Sequence, residues 1–253
     1  MAASTITIWL MVGATFVVAY LLGSLPTGYL FGKYLKNIDI REVGSGSTGA
    51  TNVLRTLGKK AGATVLILDV LKGVAAIFAV YALYFWLGDN ACTLDVGTRD
   101  AISDLAEAAR QGQAVNASLP EPAQTCLNLV LQQPWIVIIG GLCAILGHSK
   151  SIWLNFTGGK SVATSLGVLL AMNWIVGLGA LAVFVISAFI TKIVSISSIL
   201  AAIAAIILMF ALGQPIAYQL MVLVAGSYVI WRHRANIQRL RNGTEPKIGQ
   251  KVG

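Results

Sequence analysis

Charged residues are scarce in this sequence. Only 11% of its 253 residues are Asp, Glu, Lys or Arg, whereas 57% are hydrophobic, and the mean hydropathy is +0.78. Soluble globular domains carry about a quarter charged residues. The composition therefore excludes an ordinary soluble domain. It predicts an all-α integral membrane protein in which residues 1–253 form a single polytopic membrane domain.

Histidine and cysteine are also rare, with two His and three Cys in the chain. Three cysteines without paired histidines do not make a structural zinc site, and we expect neither a metal nor another cofactor. Cys143 lies in an apolar segment and is expected in the core. Cys92 and Cys126 lie in the one long polar region, where a disulfide can form if that region faces an oxidising compartment.

Several catalytic and binding signatures are missing. The chain has no P-loop, no dinucleotide-binding βαβ pattern and no Gly-x-Ser-x-Gly elbow. Neither His148 nor His233 is followed by Asp five positions on, which excludes the His-Asp pair of acyltransferases that use acyl thioesters. The net charge of +8 is spread over short clusters beside apolar segments, so we expect no nucleic-acid partner.

Long apolar runs, in contrast, are abundant. At roughly 17–25 residues per span, residues 8–32, 63–87 and 135–147 each predict a transmembrane helix. The stretch 161–228 is apolar nearly throughout, and we divide it at residues 177–179, at Lys192 and at residues 213–215. This gives about seven transmembrane helices. Because the segments 161–177 and 178–191 are short, a count of five remains open.

Charge predicts the orientation of these helices. Lys and Arg cluster in residues 33–60, 150–160 and 232–251, which follow the first, third and last predicted helices. Such clusters mark cytoplasmic loops, so the N-terminus is expected outside and the C-terminus in the cytoplasm. Residues 88–133, between the second and third helices, hold six of the ten acidic residues. They predict an extracytoplasmic polar insertion.

The first of three polar clusters is a loop rich in glycine and hydroxyl groups, at residues 43–62. Its glycines permit positive φ angles, so successive backbone N–H groups can form a concave nest for an anion. The guanidinium of Arg55 adds a planar fork suited to phosphate oxygens. The predicted phosphate-binding residues here are Gly44, Ser45, Gly46, Gly49, Asn52 and Arg55.

Two further clusters are expected on the same side of the membrane. Gly159 and Lys160 precede a predicted helix, and a helix N-terminus beside a lysine attracts anions. His148, before them, is expected to be an ordinary hydrogen-bonded interfacial histidine. In the third cluster, His233 and Asn236 share a helix face. The expectation for Arg232, Arg239 and Arg241 is contact with anionic headgroups.

These clusters, which read GSGSTGATNVLRTLGKKAG, GHSKSIWLNFTGGKSVATSLG and RHRANIQRLRNGTE, resemble the bacterial acyl-phosphate:glycerol-3-phosphate acyltransferase family (PlsY) in order and approximate spacing. The resemblance covers essentially everything except residues 88–133. Ser47 stands where the family usually has Asn. The residues that the resemblance implies for catalysis and phosphate binding include Ser45, Asn52, Arg55, Lys160, His233 and Asn236.

The resemblance implies transfer of a long-chain acyl group from acyl-phosphate to the 1-hydroxyl of sn-glycerol 3-phosphate. The products are lysophosphatidic acid and inorganic phosphate, in phospholipid biosynthesis at the bacterial plasma (inner) membrane. The active site is then at the cytoplasmic face, with the lipid bilayer as partner. The sequence leaves open whether His233 or a substrate phosphate is the base, and also the oligomeric state. The rival hypothesis is a transporter of phosphorylated metabolites.

Overall fold

The computed structural model describes residues 5–91, 95–110, 113 and 119–250. These residues form eleven α-helices and one short 3-10 helix, Ile152–Leu154. The α-helices are α1 Thr5–Ser24, α2 Thr27–Lys36, α3 Ala50–Leu57, α4 Lys59–Ala91, α5 Val96–Arg110, α6 Glu121–Ser149, α7 Val162–Met172, α8 Trp174–Thr191, α9 Val194–Ala211, α10 Ile216–Arg232 and α11 Arg234–Arg241.

Five segments in the described part of the chain are long and apolar enough to cross a membrane, and α7 and α10 are shorter apolar helices. The five segments are Thr7–Lys36, Lys59–Leu87, Ala123–Ser149, Trp174–Thr191 and Val194–Ala211. The helical, membrane-spanning class predicted from the composition is confirmed. The total of seven spans and the placement of the termini stay predictions.

The predicted helix break at residues 177–179 is wrong. The helical conformation is instead interrupted at Asn173, between α7 and α8. Its Oδ1 accepts a hydrogen bond from Val176 N at 3.0 Å and so caps α8. Gly177 lies inside α8, and a Cβ there would lie 2.9 Å from Leu170 N. This glycine permits close packing of α7 against α8 rather than ending a helix.

The two helices that flank the predicted polar insertion extend into it. Helix α4 continues to Ala91 and α6 begins at Glu121, with Pro134 accommodated inside it. The amphipathic helix α5 packs on the start of α6 through Ile102 and Ala106. Cys126 is buried in the same cluster, whereas its expected partner Cys92 lies outside the described residues.

The three polar clusters meet at one end of the helix bundle. Small residues bring the long helices close together, since a Cβ at Gly23 would lie 2.1 Å from Ala144 O and one at Gly73 would lie 2.3 Å from Thr164 O. This packing brings the ends of α1 and α6 beside the starts of α4 and α7. The loop before α3, the loop between α6 and α7 and the end of α10 meet there, since Arg41 Nη1 donates to Thr157 Oγ1 at 3.2 Å and Arg232 Nη2 donates to Gly159 O at 2.8 Å.

Candidate active site

Asn52 organises the glycine-rich loop. Its side chain is buried, and Nδ2 donates to three backbone carbonyls at 2.8–3.0 Å, those of Ile40, Val43 and Ser47. Its Oδ1 accepts from Ser45 N at 2.8 Å. Because the amide is fully engaged with the backbone, Asn52 supports the loop that would face a phosphate.

The loop glycines have separate roles. Gly44 and Gly46 adopt left-handed φ angles of +59° and +67°. A Cβ at Gly44 would lie 2.3 Å from Asn52 Oδ1, so only glycine allows the amide to reach under the loop. Gly46 and Gly49 line cavities beside the exposed Ser45.

The second cluster is a tight turn packed on His148. A Cβ at Gly159 would lie 2.1 Å from His148 Nε2, and the backbone N–H of Gly159 donates to His148 O at 3.2 Å. Arg232 Nη2 donates to Gly159 O at 2.8 Å and to Gly158 O at 3.2 Å. The turn is therefore held by His148 on one side and by Arg232 on the other, and Lys160 follows it directly in the chain.

Lys160 begins a hydrogen-bonded chain that joins the second and third clusters. Its Nζ donates to Asn236 Oδ1 at 2.5 Å, and Asn236 Nδ2 donates to Glu245 Oε1 at 2.6 Å. Ser195 Oγ donates to the same oxygen at 2.8 Å, and Arg239 pairs with Glu245 Oε2 at 2.7 Å. Burial lowers the pKa of Lys160 to about 8, against the opposing effect of the Glu245 charge.

His233 lies between α10 and α11 with a defined tautomer. Its Nδ1 lies 2.7 Å from the carbonyl oxygen of Val229, and because a carbonyl can only accept, Nδ1 carries the proton. Burial lowers the pKa of His233 to about 4, so the ring is neutral at pH 7. Nε2 then presents a lone pair.

The segment after α11 folds back across the site. Arg55 Nη2 donates to Pro246 O at 3.2 Å, and Ile248 N donates to Lys192 O at 2.7 Å. Partial burial lowers the pKa of Arg55 from its ordinary value, yet a guanidinium remains charged at neutral pH. The C-terminal segment thus ties the first cluster to the junction of α8 and α9.

Two cavities meet at these residues. The larger, about 450 Å³, contains Ser45, Arg55, Lys160, His233 and Asn236 and continues between α4, α7, α8, α9 and α10 along apolar side chains. The smaller, about 220 Å³, is lined by polar and basic residues. Ser45, Ser47 and Lys160 line both cavities. The Arg232 side chain lines the smaller one, and its buried Nε has no hydrogen-bond partner within the described residues.

A group of ionisable residues lies behind the site within the helices. Asp69 and Lys72 form an ion pair at 2.8 Å, and Thr27 Oγ1 donates to Asp69 at 2.6 Å. His148 Nδ1 lies 3.6 Å from the same carboxylate, and Lys72 also donates to Leu25 O at 2.9 Å. Asp69 and His148 both line the larger cavity. Charges inside a membrane protein are expensive unless paired, and they often mark function.

The sequence-predicted residues therefore come together, with two qualifications. Gly44 and Gly159 line neither cavity and act on the shapes of the two loops. Arg232 and Arg239, expected at lipid headgroups, instead bind backbone carbonyls and Glu245 within the protein. Arg232 lies 73 positions from Gly159 in the chain, so composition arguments do not reveal this partner.

Sequence reasoning missed Ser195 and Glu245 in the site, and Asp69 with Lys72 behind it. A feature of the sequence could have indicated Glu245, because it is the one acidic residue in the strongly basic segment 232–253. Asp69 and Lys72 have another such feature, as an i, i+3 pair of opposite charges in an apolar run. Ser195 has none, since serines are common near helix starts.

The fold and the site define a multi-pass helical membrane protein with a cationic site at one end of its helices. A family model described as glycerol-3-phosphate acyltransferase matches residues 13–243. A glycerol-3-phosphate acyltransferase from Nostoc sp. is 56% identical over 96% of this chain and 95% of the relative. One from Acaryochloris marina is 53% identical over 96% of each chain.

Two solved structures are also similar. They are crystal structures of PlsY (YgiH), an integral membrane glycerol 3-phosphate acyltransferase, in its glycerol 3-phosphate form and its lysophosphatidic acid form. The first has a TM-score of 0.71 and 33% identity and covers 94% of this chain and 96% of that one. The second has a TM-score of 0.69 and 32% identity over 94% and 95%.

The chain therefore belongs to the glycerol-3-phosphate acyltransferase family. The family resemblance drawn from the three clusters is confirmed. These comparisons support the acyltransferase hypothesis and not the transporter hypothesis.

Proposed function

We propose that this protein transfers a long-chain acyl group from an acyl-phosphate to the 1-hydroxyl of sn-glycerol 3-phosphate. The observation that carries the proposal is the meeting of an apolar and a polar cavity at Ser45, Ser47 and Lys160. One cavity suits a lipid tail and the other a small anion. The names of the relatives, and the ligand forms of the similar crystal structures, support the acceptor and the lipid product.

The acyl-phosphate lies with its tail in the larger cavity. Its phosphate faces the loop at Ser45 and the two cations Arg55 and Lys160. Arg55 and Lys160 are half-buried, and fixed cations and backbone N–H groups stabilise charge more strongly there than in bulk water. They favour departure of the phosphate.

Glycerol 3-phosphate enters through the smaller cavity. Arg232 and Arg234 line that cavity, and Arg232 Nε, which has no hydrogen-bond partner among the described residues, offers a donor for the phosphate. His233 and Asn236 line the adjoining larger cavity and position the glycerol hydroxyls. Binding two anions in fixed orientation is a large part of the catalysis, because the mixed anhydride is already activated.

In the reaction, the 1-hydroxyl oxygen bonds to the acyl carbonyl carbon and the bond from that carbon to the phosphate oxygen breaks. Lysophosphatidic acid and inorganic phosphate leave, and the hydroxyl proton passes to a base. His233 Nε2 has the lone pair for this role, but its pKa of about 4 makes it a weak base near neutral pH. A phosphate monoester has a pKa of about 6. We therefore assign the proton to a substrate phosphate and hydroxyl orientation to His233.

Release of inorganic phosphate by the purified protein tests the proposal. With palmitoyl-phosphate, release is expected only when glycerol 3-phosphate is added, together with formation of lysophosphatidic acid. Lys160→Ala and Arg55→Ala are each expected to lower kcat/KM by about a hundredfold or more. The exposed Lys60→Ala is the matched control. Uptake of glycerol 3-phosphate into proteoliposomes without acyl transfer would reject the enzyme in favour of transport.

The basic loops around the site support a position at the cytoplasmic face of the plasma membrane. A cysteine introduced at the exposed Lys60 tests this orientation. A membrane-impermeant thiol reagent is expected to label it in inverted vesicles and not in intact cells. Labelling of intact cells would place the site on the opposite side.

A further inference from the structure

Two small side chains line the inner end of the larger cavity. Ala180 on α8 and Ala205 on α9 line the cavity and are only 4% and 5% exposed. Both belong to a buried cluster, which we call the floor cluster, made of Leu169, Val176, Ala180, Ala205, Met209 and Val222. Val176 and Met209 are fully buried and do not line the cavity. They lie one helical turn beyond the two alanines.

The depth of this floor matches a long acyl chain. At 1.5 Å per residue, Ala205 lies about 15 Å along α9 from Ser195, and Ala180 lies about 18 Å along α8 from Lys192. An extended alkyl chain advances by about 1.3 Å per carbon, from C–C bonds of about 1.5 Å in a staggered zigzag. A tail of roughly 12–14 carbons therefore spans the cavity, and the end of a longer tail meets the floor.

We propose that Ala180 and Ala205 set the acyl-chain length that the enzyme accepts. The inference rests on the proposed function, because it takes the occupant of the cavity to be the tail of the acyl donor. Alanine is the smallest residue that carries a side-chain carbon, so nearly every substitution at these positions adds volume to the floor. A larger side chain at either position would extend the floor cluster toward the site by about one turn, or 5.4 Å. That distance corresponds to about four carbons.

The side of the cavity gives a competing route for the tail. Ile67 and Leu71 on α4 line the cavity and are 58% and 52% exposed, so the cavity opens laterally toward lipid. This opening lets the donor enter from the bilayer. If the tail leaves through this opening, substitutions in the floor cluster would not change the preferred chain length. Substitutions at Ala180 and Ala205 therefore distinguish the two arrangements of the tail.

The experiment compares kcat/KM for myristoyl-phosphate, whose tail of fourteen carbons reaches the floor, and decanoyl-phosphate, whose tail of ten carbons ends about one helical turn above it. Ala205→Phe and Ala180→Leu are expected to lower the ratio of the fourteen-carbon to the ten-carbon substrate by about tenfold, because packed interiors tolerate little overlap. Met209→Ala, which removes volume beneath Ala205, is expected to raise kcat/KM for stearoyl-phosphate relative to myristoyl-phosphate. Ile207→Phe, at a 61% exposed position of α9, is the control and is expected to leave both ratios unchanged.

Two failures of this experiment have different meanings. A wild-type protein without turnover on any acyl-phosphate would reject the proposed function. A wild-type protein with turnover, whose chain-length ratios stay the same in Ala180→Leu, Ala205→Phe and Met209→Ala, would overturn the inference about the floor. Ala180→Leu and Ala205→Phe favour shorter tails, whereas Met209→Ala favours longer ones. If one of these variants fails to fold, the others still test the inference.

Discussion

Lys160 and Asn236 are joined by a hydrogen bond of 2.5 Å although they lie 76 positions apart in the chain. Asn236 Nδ2 in turn donates a hydrogen bond to the buried carboxylate of Glu245 at 2.6 Å. The cation is thereby held at the junction of the two cavities. Because burial lowers the pKa of Lys160 to about 8, its charge is present below that pH and is lost above it.

This pKa predicts the basic limb of the pH profile. As the pH rises through about 8 the Lys160 ammonium loses its proton, and kcat/KM is expected to fall, approaching tenfold per pH unit. Lys160→Arg is expected to move the fall to a higher pH, since a guanidinium keeps its charge. The measurement is kcat/KM between pH 6 and 10. An unchanged limb in Lys160→Arg would assign the titration to another group.

Glu245→Gln is expected to move the same limb in the opposite direction. The Glu245 charge raises the pKa of Lys160, so its removal lowers that pKa further and shifts the fall in kcat/KM below pH 8. Arg239 also loses its ion-pair partner, which is expected to destabilise the C-terminal segment by about 1–3 kcal/mol. Glu42→Gln, at an exposed position, serves as the control. If the basic limb of kcat/KM does not move in Glu245→Gln, the Glu245 charge does not raise the pKa of Lys160.

The proton assignment predicts that His233 is not essential as a base. His233→Gln keeps a hydrogen-bonding side chain without a titrating ring, and it is expected to retain activity within about a hundredfold of wild type. The acid limb of kcat/KM, near the phosphate pKa of about 6, is expected to stay where it is. Loss of the acid limb in this variant would return the role of base to the histidine.

Asn52→Ala tests the support of the glycine-rich loop. The change leaves the N–H of Ser45 and three buried or half-buried carbonyls without their partner, so we expect a loss of about 2–3 kcal/mol in stability and a large loss of activity. The thermal unfolding midpoint in detergent is the readout. Asn242→Ala, at an exposed position, is expected to change neither quantity. Full stability in Asn52→Ala would contradict the role assigned here.

Gly159→Ala tests the turn that carries Lys160. The new Cβ would lie 2.1 Å from His148 Nε2, so either the ring or the turn has to move. Because a displacement of about 1 Å costs on the order of a hundredfold in rate, kcat/KM is expected to fall by that amount. Gly13→Ala on α1, where the Cβ would meet nothing within 4 Å, is the matched control. Wild-type kinetics in Gly159→Ala would show that the turn tolerates the shift.

The buried pair Asp69 and Lys72 predicts a non-additive response. Lys72→Met or Asp69→Asn alone leaves a buried charge without its partner and is expected to cost about 3–5 kcal/mol. The double variant is expected to lose less than the sum of the two. Thermal unfolding of the four proteins gives the coupling energy. Additive losses would mean that the two charges do not depend on each other.

Much of the architecture followed from composition, because a bilayer accepts few structures other than apolar helices. The sequence located the first three long helices and the three clusters, since glycine, cation and hydroxyl groups in an apolar chain are conspicuous. It misplaced the break between α7 and α8, because glycine is typical of turns, whereas Gly177 lies inside α8 at a contact with α7. Only the packing against Leu170 distinguishes the two.

The sequence by itself determined that this is a helical membrane protein with three polar clusters and which family it resembles, since apolar periodicity and motif order are local properties. The tertiary structure alone decided what those clusters touch. It showed that the Asn52 amide supports its own loop, that Arg232 and Arg239 turn inward, and that Glu245 meets Asn236. Arg232 and Gly159 lie 73 positions apart along the chain, and the nearer pair Asn236 and Glu245 forms because the segment after α11 folds back. The depth of the apolar cavity is likewise a property of that packing.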